Sequence, residues 1–228
     1  MSWGSESVRR RPTQVRVAPE LYRTVGVLEP LSSGTRVDGA SFLRIFDQVF
    51  APLLRQRAGT FRAMFQFLLA KTAPYLLIET GTTRESGDFA SNGQSTVLFD
   101  LFVNLFGGRL ISIDLDPTNV QYCRGRTSAK TTLLCSDSIQ ALRSLAEVED
   151  ADLIYLDSYD FDPSHPHPSS LHHLEELAAI WRRTKPGCLL AIDDCFGATT
   201  GKHAYVARFL DERGNKPIFA GYQTGWKT

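Results

Sequence analysis

Three carboxylates at the ends of two predicted strands are the side chains in this sequence best placed for chemistry. Asp157 ends the apolar run 152–157, and Asp193 and Asp194 stand at the end of the apolar run that begins at 188. If the two runs are neighbouring parallel strands, their carboxyl ends lie at one edge of the sheet and the three side chains converge there. Oxygen ligands suit hard cations such as magnesium, manganese or calcium rather than zinc.

The sequence therefore predicts a divalent metal site, with magnesium favoured, formed by Asp157, Asp193 and Asp194. A hydroxyl group bound to such a cation loses its proton easily, because the cation stabilises the anion that forms. Asp157 is also a candidate catalytic residue. The alternative is that one member of the adjacent pair caps the following loop and that no metal binds.

A second group of residues is typical of a pocket for the sugar and base of a nucleoside cofactor. An apolar strand starting at Tyr75 leads into Gly81, a polar loop runs to Gly93, and the next strand ends in Asp114. A glycine turn allows close backbone approach, and a carboxylate at the end of the next strand can accept hydrogen bonds from two ribose hydroxyls. The separation of Gly93 and Asp114 is close to the roughly 20 residues expected. Asp114 as a cap of the following turn is the alternative.

Composition narrows the classes of function. The chain has 228 residues, 43% of them hydrophobic, and a formal net charge of zero. That length suits a single α/β domain. Because the charges balance, the composition gives no sign of an excess of basic residues that would bind nucleic acid or an anionic membrane, so a small-molecule substrate is expected. Four cysteines without paired spacing predict free thiols, and with no signal peptide or membrane span in the sequence we expect a cytoplasmic protein.

The chain divides into an arm and one domain. Residues 1–38 are rich in Arg, Ser, Gly and Pro and predict an extended arm, solvated or acting as a lid or dimer arm. Residues 39–71 predict helices with a phenylalanine stripe, which is either core or the contact of a homodimer. Residues 72–228 alternate strand and helix, which predicts a mostly parallel, doubly wound sheet with helices on both faces. Predicted strands lie at 75–79, 109–114, 131–135, 152–157, 188–193 and 217–222, with helices near 94–106, 117–126, 138–147, 169–184 and 202–213.

Five motifs in this order resemble those of class I S-adenosylmethionine-dependent methyltransferases, which have a Rossmann-like fold. The similarity is greatest to metal-dependent O-methyltransferases of small molecules, including the sugar and antibiotic-tailoring branch. The motifs are Leu77 to Gly81 with Gly93 to Thr96, Ile111 to Asp114, Cys135 to Ser138, Leu153 to Asp157, and Pro186 to Asp194.

The resemblance implies S-adenosylmethionine as the cofactor and assigns residues to it. Glu79 and Gly81 would border its methionine and ribose, Asp114 would bind the ribose hydroxyls, and Asp137 would reach the adenine amino group. The neighbouring motif residues Thr82, Gly93, Ser95 and Ser138 complete the predicted cofactor site. For Asp137 the alternative is an ordinary N-cap, because Asp-Ser precedes an apolar helix.

Two segments depart from the family pattern. Eleven residues separate Gly81 from Gly93 where relatives commonly have about four, so the loop either folds over the cofactor and acceptor or is a solvent loop. Asp160 stands where some metal-dependent relatives carry a catalytic lysine. Four of the five histidines lie between residues 165 and 173. His167 and His173 are candidate bases, since histidine titrates near neutral pH, with a surface location as the alternative.

The sequence thus predicts an S-adenosylmethionine-dependent O-methyltransferase that methylates a hydroxyl of a small molecule, a sugar or glycosylated metabolite first, with divalent-metal assistance. One alternative is a methyltransferase that acts without metal or on nitrogen. Another is a subunit that binds the cofactor or takes part in assembly without catalysis.

Overall fold

The computed structural model describes residues 37–84, 89–90 and 94–228. Nearly all of the predicted arm 1–38 lies outside the described residues, as does Gly93 of the predicted cofactor loop. Within the described part of the chain, no helix is long and apolar enough to span a membrane.

A seven-stranded sheet confirms the predicted α/β class. Its order is β3-β2-β1-β4-β5-β7-β6, and all neighbours are parallel except the pairs that involve β7. The strands are β1 Tyr75–Thr80, β2 Gly108–Asp114, β3 Thr131–Cys135, β4 Leu153–Leu156, β5 Leu189–Ile192, β6 Phe219–Ala220 and β7 Thr224–Lys227. The chain runs outward from β1 to β3 and then crosses to β4. The order therefore reverses between β1 and β4, where open α/β sheets place ligands beyond the carboxyl ends of their strands.

Eight α-helices are present in the described residues. They are α1 Gly39–Ile45, α2 Ala51–Leu54, α3 Ala58–Leu69, α4 Ser95–Phe106, α5 Pro117–Arg124, α6 Ser138–Ser144, α7 Pro166–Ile180 and α8 Ala204–Asp211. A π-helical segment, Phe46–Phe50, joins α1 to α2. One hydrophobic cluster packs α1, α3 and α4 on one face of the sheet. A second cluster packs α6, α7 and α8 on the other face.

The phenylalanine stripe belongs to the core. Phe42 and Phe65 meet edge to face with ring centroids 5.2 Å apart, and Phe65 stacks on Phe102 of α4 at 5.4 Å. All three rings are buried. Their burial within the chain removes the surface on which the predicted dimer contact was based, and a homodimer stays a prediction.

Two details near the C-terminus differ from expectation. The predicted last strand 217–222 shrinks to two residues, while β7 lies inside the sheet between β5 and β6. Trp226 on β7 is 2% exposed and packs in the second cluster. All four cysteines are free thiols, as expected, although Cys135 is exposed.

Candidate active site

Gly81 marks the point at which the ends of β1, β2 and β4 meet. Its N–H donates to the Ile113 carbonyl at 2.8 Å. Its φ is +81°, and a Cβ placed there would lie 2.4 Å from the carbonyl oxygen of Asp157. Only glycine tolerates both the backbone angle and this close approach. Gly81 therefore forms the floor of the crevice between β1 and β4.

Asp114 lies beside this floor, at the carboxyl end of β2 as predicted. Its Oδ2 accepts a hydrogen bond from the Thr82 N–H at 3.0 Å, and its Oδ1 accepts one from the Asp116 N–H at 2.8 Å. The carboxylate is held in place by these two backbone donors and by the side-chain amide of Asn119, which lies 3.3 and 3.4 Å from its two oxygens. The next side chain, Leu115, is 72% exposed. The cleft thus offers an oriented carboxylate next to an open apolar surface.

Glu79 forms a buried polar group beneath the cleft. Its Oε2 accepts a hydrogen bond from the Ser112 hydroxyl at 2.7 Å, while Oε1 has no partner among the described residues. Burial raises the pKa of Glu79 to about 7, against the hydroxyls of Ser95, Thr96 and Ser112, which lower it. An unpaired buried acceptor of this kind is suited to a ligand that brings a donor.

Asp137 caps α6, which is the alternative that its sequence context suggested. Its Oδ1 accepts from the Gln140 N–H at 2.9 Å. Ser138 follows, with its hydroxyl 3.1 Å from Nε2 of His172. A cap can also face a ligand, so the adenine contact of Asp137 and the place of Ser138 in the cofactor site stay predictions.

The three acids of the predicted metal site do converge, together with two cations that the sequence analysis missed. Nζ of Lys202 contacts Oδ1 of Asp157 and lies 3.1 Å from Oδ2 of Asp194. Arg57 pairs with Asp193, whose Oδ1 also accepts from the Gln223 side chain at 2.5 Å. The Lys202 and Arg57 side chains are each 1% exposed. Across the described ranges, no set of three or more Asp, Glu, His or Cys side chains is arranged to hold a metal ion.

These buried charges shift one another's proton affinity. Burial raises the pKa of Asp157 well above its ordinary value, although Lys202 opposes the shift. At Asp193 burial acts in the same direction, but the charges of Arg57 and Lys202 outweigh it and the pKa is lowered. Pairing with Arg57 therefore favours the charged form of Asp193, whereas burial favours the protonated form of Asp157 despite Lys202.

A tight loop after β5 carries Lys202 back to the acids. Asp194 has a φ of +49°, in the left-handed region, and its carbonyl accepts from the Lys202 N–H at 3.1 Å. Within the loop, Phe196 N–H donates to Thr200 O at 2.7 Å. At Gly201 a Cβ would lie 2.2 Å from the Asp194 carbonyl oxygen, so this position requires glycine.

The two candidate bases lie outside the contacts of this cluster. His167 is exposed, with Nδ1 2.5 Å from the Tyr205 hydroxyl. His173 is buried in α7, where Nδ1 lies 2.7 Å from the Ser169 carbonyl oxygen and Nε2 lies 3.8 Å from Oε2 of Glu176. Neither contact is with the three acids, and a role as base stays a prediction for both.

Acid should destabilise the protein through His173. Burial lowers the pKa of His173 to about 4 from 6.5, even though Glu176 raises it. Between these values the unfolded chain binds a proton that the folded chain does not, so stability is lost as pH falls from 6.5 through 4. Glu176 adds a second loss of stability below pH 4.5. Burial opposes its negative charge, yet His172 and His173 lower its pKa from 4.5 to about 2.

We expect urea denaturation to show roughly 2 kcal/mol more destabilisation from pH 6.5 to 4 in the wild type than in His173→Gln. His167→Gln, which changes an exposed histidine of the same helix, should keep the wild-type pH dependence. Equal slopes for all three proteins would contradict the assignment.

The part of the inserted loop that the structure describes reaches across the crevice. Arg84 makes two hydrogen bonds to Asp160, at 2.9 and 2.8 Å. Asp160 is therefore the partner of this loop on the β4 side. Glu85 and Asp88 lie outside the described residues. Both partners are largely exposed, so the pair contributes little stability, about 1 kcal/mol at most, but it narrows the opening of the site.

A cavity of about 1010 Å³ lies elsewhere, lined by α8, β6, β7 and the loop that precedes α8, with His203, Tyr205 and Trp226 among its lining residues. None of the described cofactor residues lines it. It is separate from the cleft formed by Gly81 and Asp114.

Solved methyltransferase structures share this architecture. MycE methyltransferase from the mycinamycin biosynthetic pathway, in complex with Mg and SAH (S-adenosylhomocysteine), superposes with a TM-score of 0.56 at 13% identity, over 97% of this chain and 68% of that one. The MycE complex with Mg, SAH and mycinamycin VI gives 0.56 at 12% identity, over 91% and 62%. The chain thus spans about two thirds of the length of MycE.

At this identity the similarity establishes the fold, which is the Rossmann-like fold of class I methyltransferases. No family model matches the sequence, and no curated protein matches it.

Proposed function

We propose that this protein is an S-adenosylmethionine-dependent methyltransferase that acts on a hydroxyl group of a small molecule. The observation that carries the proposal is the arrangement of Gly81, Asp114 and Glu79 around one cleft at the switch point of the sheet. The MycE complexes with SAH, which have the same fold, support the choice of cofactor.

The residues of the cleft fit S-adenosylmethionine. The Asp114 carboxylate is oriented by the Thr82 and Asp116 amides and by the longer contacts of the Asn119 side chain, and it is a charged acceptor suited to ribose hydroxyls. Leu115 offers an apolar surface beside it for a base. Below them, the unpaired Oε1 of Glu79 suits the ammonium group of a methionine moiety. When bound, the cofactor supplies an electrophilic methyl group on a sulfonium.

The chain contributes orientation and a proton acceptor. Gly81 brings the end of β1 against the Asp157 carbonyl, so a ligand on this floor lies next to the Asp157 side chain. Asp157 is the carboxylate we assign to the acceptor hydroxyl and its proton. The Arg84–Asp160 pair narrows the mouth, which favours in-line approach of a bound acceptor and limits water.

Metal assistance is the predicted feature that the described residues do not fit. MycE was solved with Mg, but here the oxygens of Asp157 and Asp194 that face each other are bridged by the Lys202 ammonium. Asp193 is committed to Arg57 and Gln223. Few oxygen atoms remain for a cation that takes about six. No step of the proposed reaction therefore passes through a metal, and this favours the metal-independent alternative.

Cofactor binding tests the proposal directly. We expect SAH to bind the wild type in isothermal titration calorimetry, and Asp114→Asn to weaken it about tenfold or more, because a charged acceptor contributes roughly 1.5–3 kcal/mol per hydrogen bond. Asp116→Ser is the matched control, since serine can still cap α5 where the Asp116 side chain now accepts from Thr118 N–H. Absence of SAH binding to the folded wild type would reject the proposal.

The acceptor is tested by methyl transfer itself. Incubation with methyl-labelled S-adenosylmethionine and a panel of sugars, glycosides and phenols should give an O-methyl product, with sugars or glycosides preferred. The chemical shift of the labelled methyl group separates oxygen from nitrogen acceptors. Binding of SAH without transfer to any acceptor class would favour a non-catalytic cofactor-binding subunit.

A further inference from the structure

We propose that Lys202 is the built-in cation of the acidic cluster and that its ammonium group takes the place between Asp157 and Asp194 which the sequence pattern assigns to a divalent metal ion. The inference rests on the proposed function only in placing the cluster next to the methyl donor. The charge arrangement itself follows from the contacts of five side chains.

The hydrogen bonds of the ammonium group are the first argument. An ammonium has three N–H donors. In this structure Nζ contacts Oδ1 of Asp157, lies 3.1 Å from Oδ2 of Asp194, and lies 3.5 Å from the backbone oxygen of Asp157. All three contacts are with residues that follow β4 and β5. The charge of Lys202 is therefore engaged by Asp157 and Asp194, and we treat Lys202 as a positioning residue rather than a catalytic one.

The loop that delivers Lys202 is the second argument. The backbone returns on itself between Cys195 and Gly201, which form a β-bridge. The Lys202 N–H donates to the Asp194 carbonyl, and the Gly201 carbonyl accepts from the Ser170 hydroxyl of α7 at 3.0 Å. The Lys202 backbone is thus anchored to β5 and to α7. Because its backbone is fixed in this way and its side chain is 1% exposed, Lys202 is a structural part of the acidic cluster and not a surface lysine that has turned inward.

Charge is the third argument. Three carboxylates, Asp157, Asp193 and Asp194, face two permanent cations, Lys202 and Arg57. A divalent ion that shared Asp157 and Asp194 with the ammonium would lie a few ångströms from a like charge in a poorly solvated site, where such repulsion is strong. Lysine in this position and a divalent ion in this position exclude each other.

The presence of the Lys202 ammonium group in place of a metal ion changes what the site requires of an acceptor molecule. A metal ion held by protein carboxylates has open positions that two adjacent oxygens of an acceptor can fill together. An ammonium group that bridges the two acids has no coordination positions of this kind. The site therefore needs only one acceptor hydroxyl next to the Asp157 carboxylate and does not require a vicinal diol or catechol.

Manganese binding, followed by the paramagnetic resonance signal of free Mn²⁺, tests the inference without reference to activity. We expect no stoichiometric Mn²⁺ binding to the wild type. Lys202→Met, which keeps the length of the side chain and removes its charge, should gain a Mn²⁺ site. Lys202→Met/Asp194→Asn should lose that site again, and Lys216→Met, which removes an exposed lysine paired with Asp211, should behave as wild type.

Stoichiometric binding of Mn²⁺ to the wild type that Asp194→Asn abolishes would overturn the inference. So would a folded Lys202→Met protein that gains no site. If Lys202→Met does not fold, Lys202→Gln serves in its place, and the wild-type titration stands without any variant. SAH titration of the same samples reports on the proposed function separately, because the ribose carboxylate Asp114 makes no contact with Lys202.

Discussion

Replacing Arg57 with methionine is expected to lower the free energy of unfolding by about 3–5 kcal/mol, the range found when one member of a buried ion pair is removed. Arg57 pairs with Asp193, donates to the Tyr155 hydroxyl at 3.2 Å, and lies over the Phe61 ring. Without it Asp193 is a buried carboxylate that has lost the cation paired with it, although the Gln223 side chain still donates to it. Urea denaturation at neutral pH gives the difference directly.

Two controls show whether the loss comes from the uncompensated charge. Arg57→Met/Asp193→Asn should recover much of the lost stability, because it removes the unpaired carboxylate as well. Arg62→Met removes the exposed partner of Asp47 and should cost less than about 1 kcal/mol. A double variant as unstable as Arg57→Met would indicate that lost packing of the arginine, and not charge, dominates.

Gly81→Ala is expected to abolish measurable SAH binding and to destabilise the protein. The added Cβ would lie 2.4 Å from the Asp157 carbonyl, and a φ of +81° alone costs roughly 1–3 kcal/mol in a residue with a side chain. Relief of this contact requires the ends of β1 and β4 to move apart, which opens the floor of the cofactor cleft. Calorimetry with SAH and urea denaturation measure the two effects.

Gly59→Ala is the matched control. Gly59 lies in α3, and a Cβ there would meet no atom within 4 Å. Alanine in a helix is favoured over glycine by roughly 0.5–1 kcal/mol, so this variant should be slightly more stable and bind SAH normally. Normal binding by Gly81→Ala would mean that the cofactor does not rest on this turn.

The fold was predictable because each central strand is an apolar run that ends in an acid. Leu110 to Ile113 and Leu153 to Leu156 are buried almost throughout, and Asp114 and Asp157 follow directly at the rim. Local pattern was enough here, since a parallel strand covered on both faces must be continuously apolar. The convergence of Asp157, Asp193 and Asp194 follows from the same logic.

The cations that pair with those acids could not be predicted from the local sequence pattern. Arg57 precedes Asp193 by 136 residues, and nothing in its neighbourhood distinguishes it from Arg55. Lys202 starts a segment that reads as an ordinary amphipathic helix. Its burial depends on the turn at Asp194 and Gly201, which only the folded backbone reveals. The metal site was predicted from the acids alone, because the sequence shows these anions more clearly than the cations that pair with them.

The left-handed backbone of Asp194 limits what can replace it. Glycine, asparagine and aspartate adopt that conformation readily, whereas a longer acid such as glutamate does so at a cost. Exchange to asparagine would preserve the shape of the loop and delete one charge. One aspartate-to-asparagine replacement at position 194 would therefore change the net charge of the acidic cluster while the loop keeps its conformation. Sequences that diverge from this one could alter the charge of the site by that single mutation.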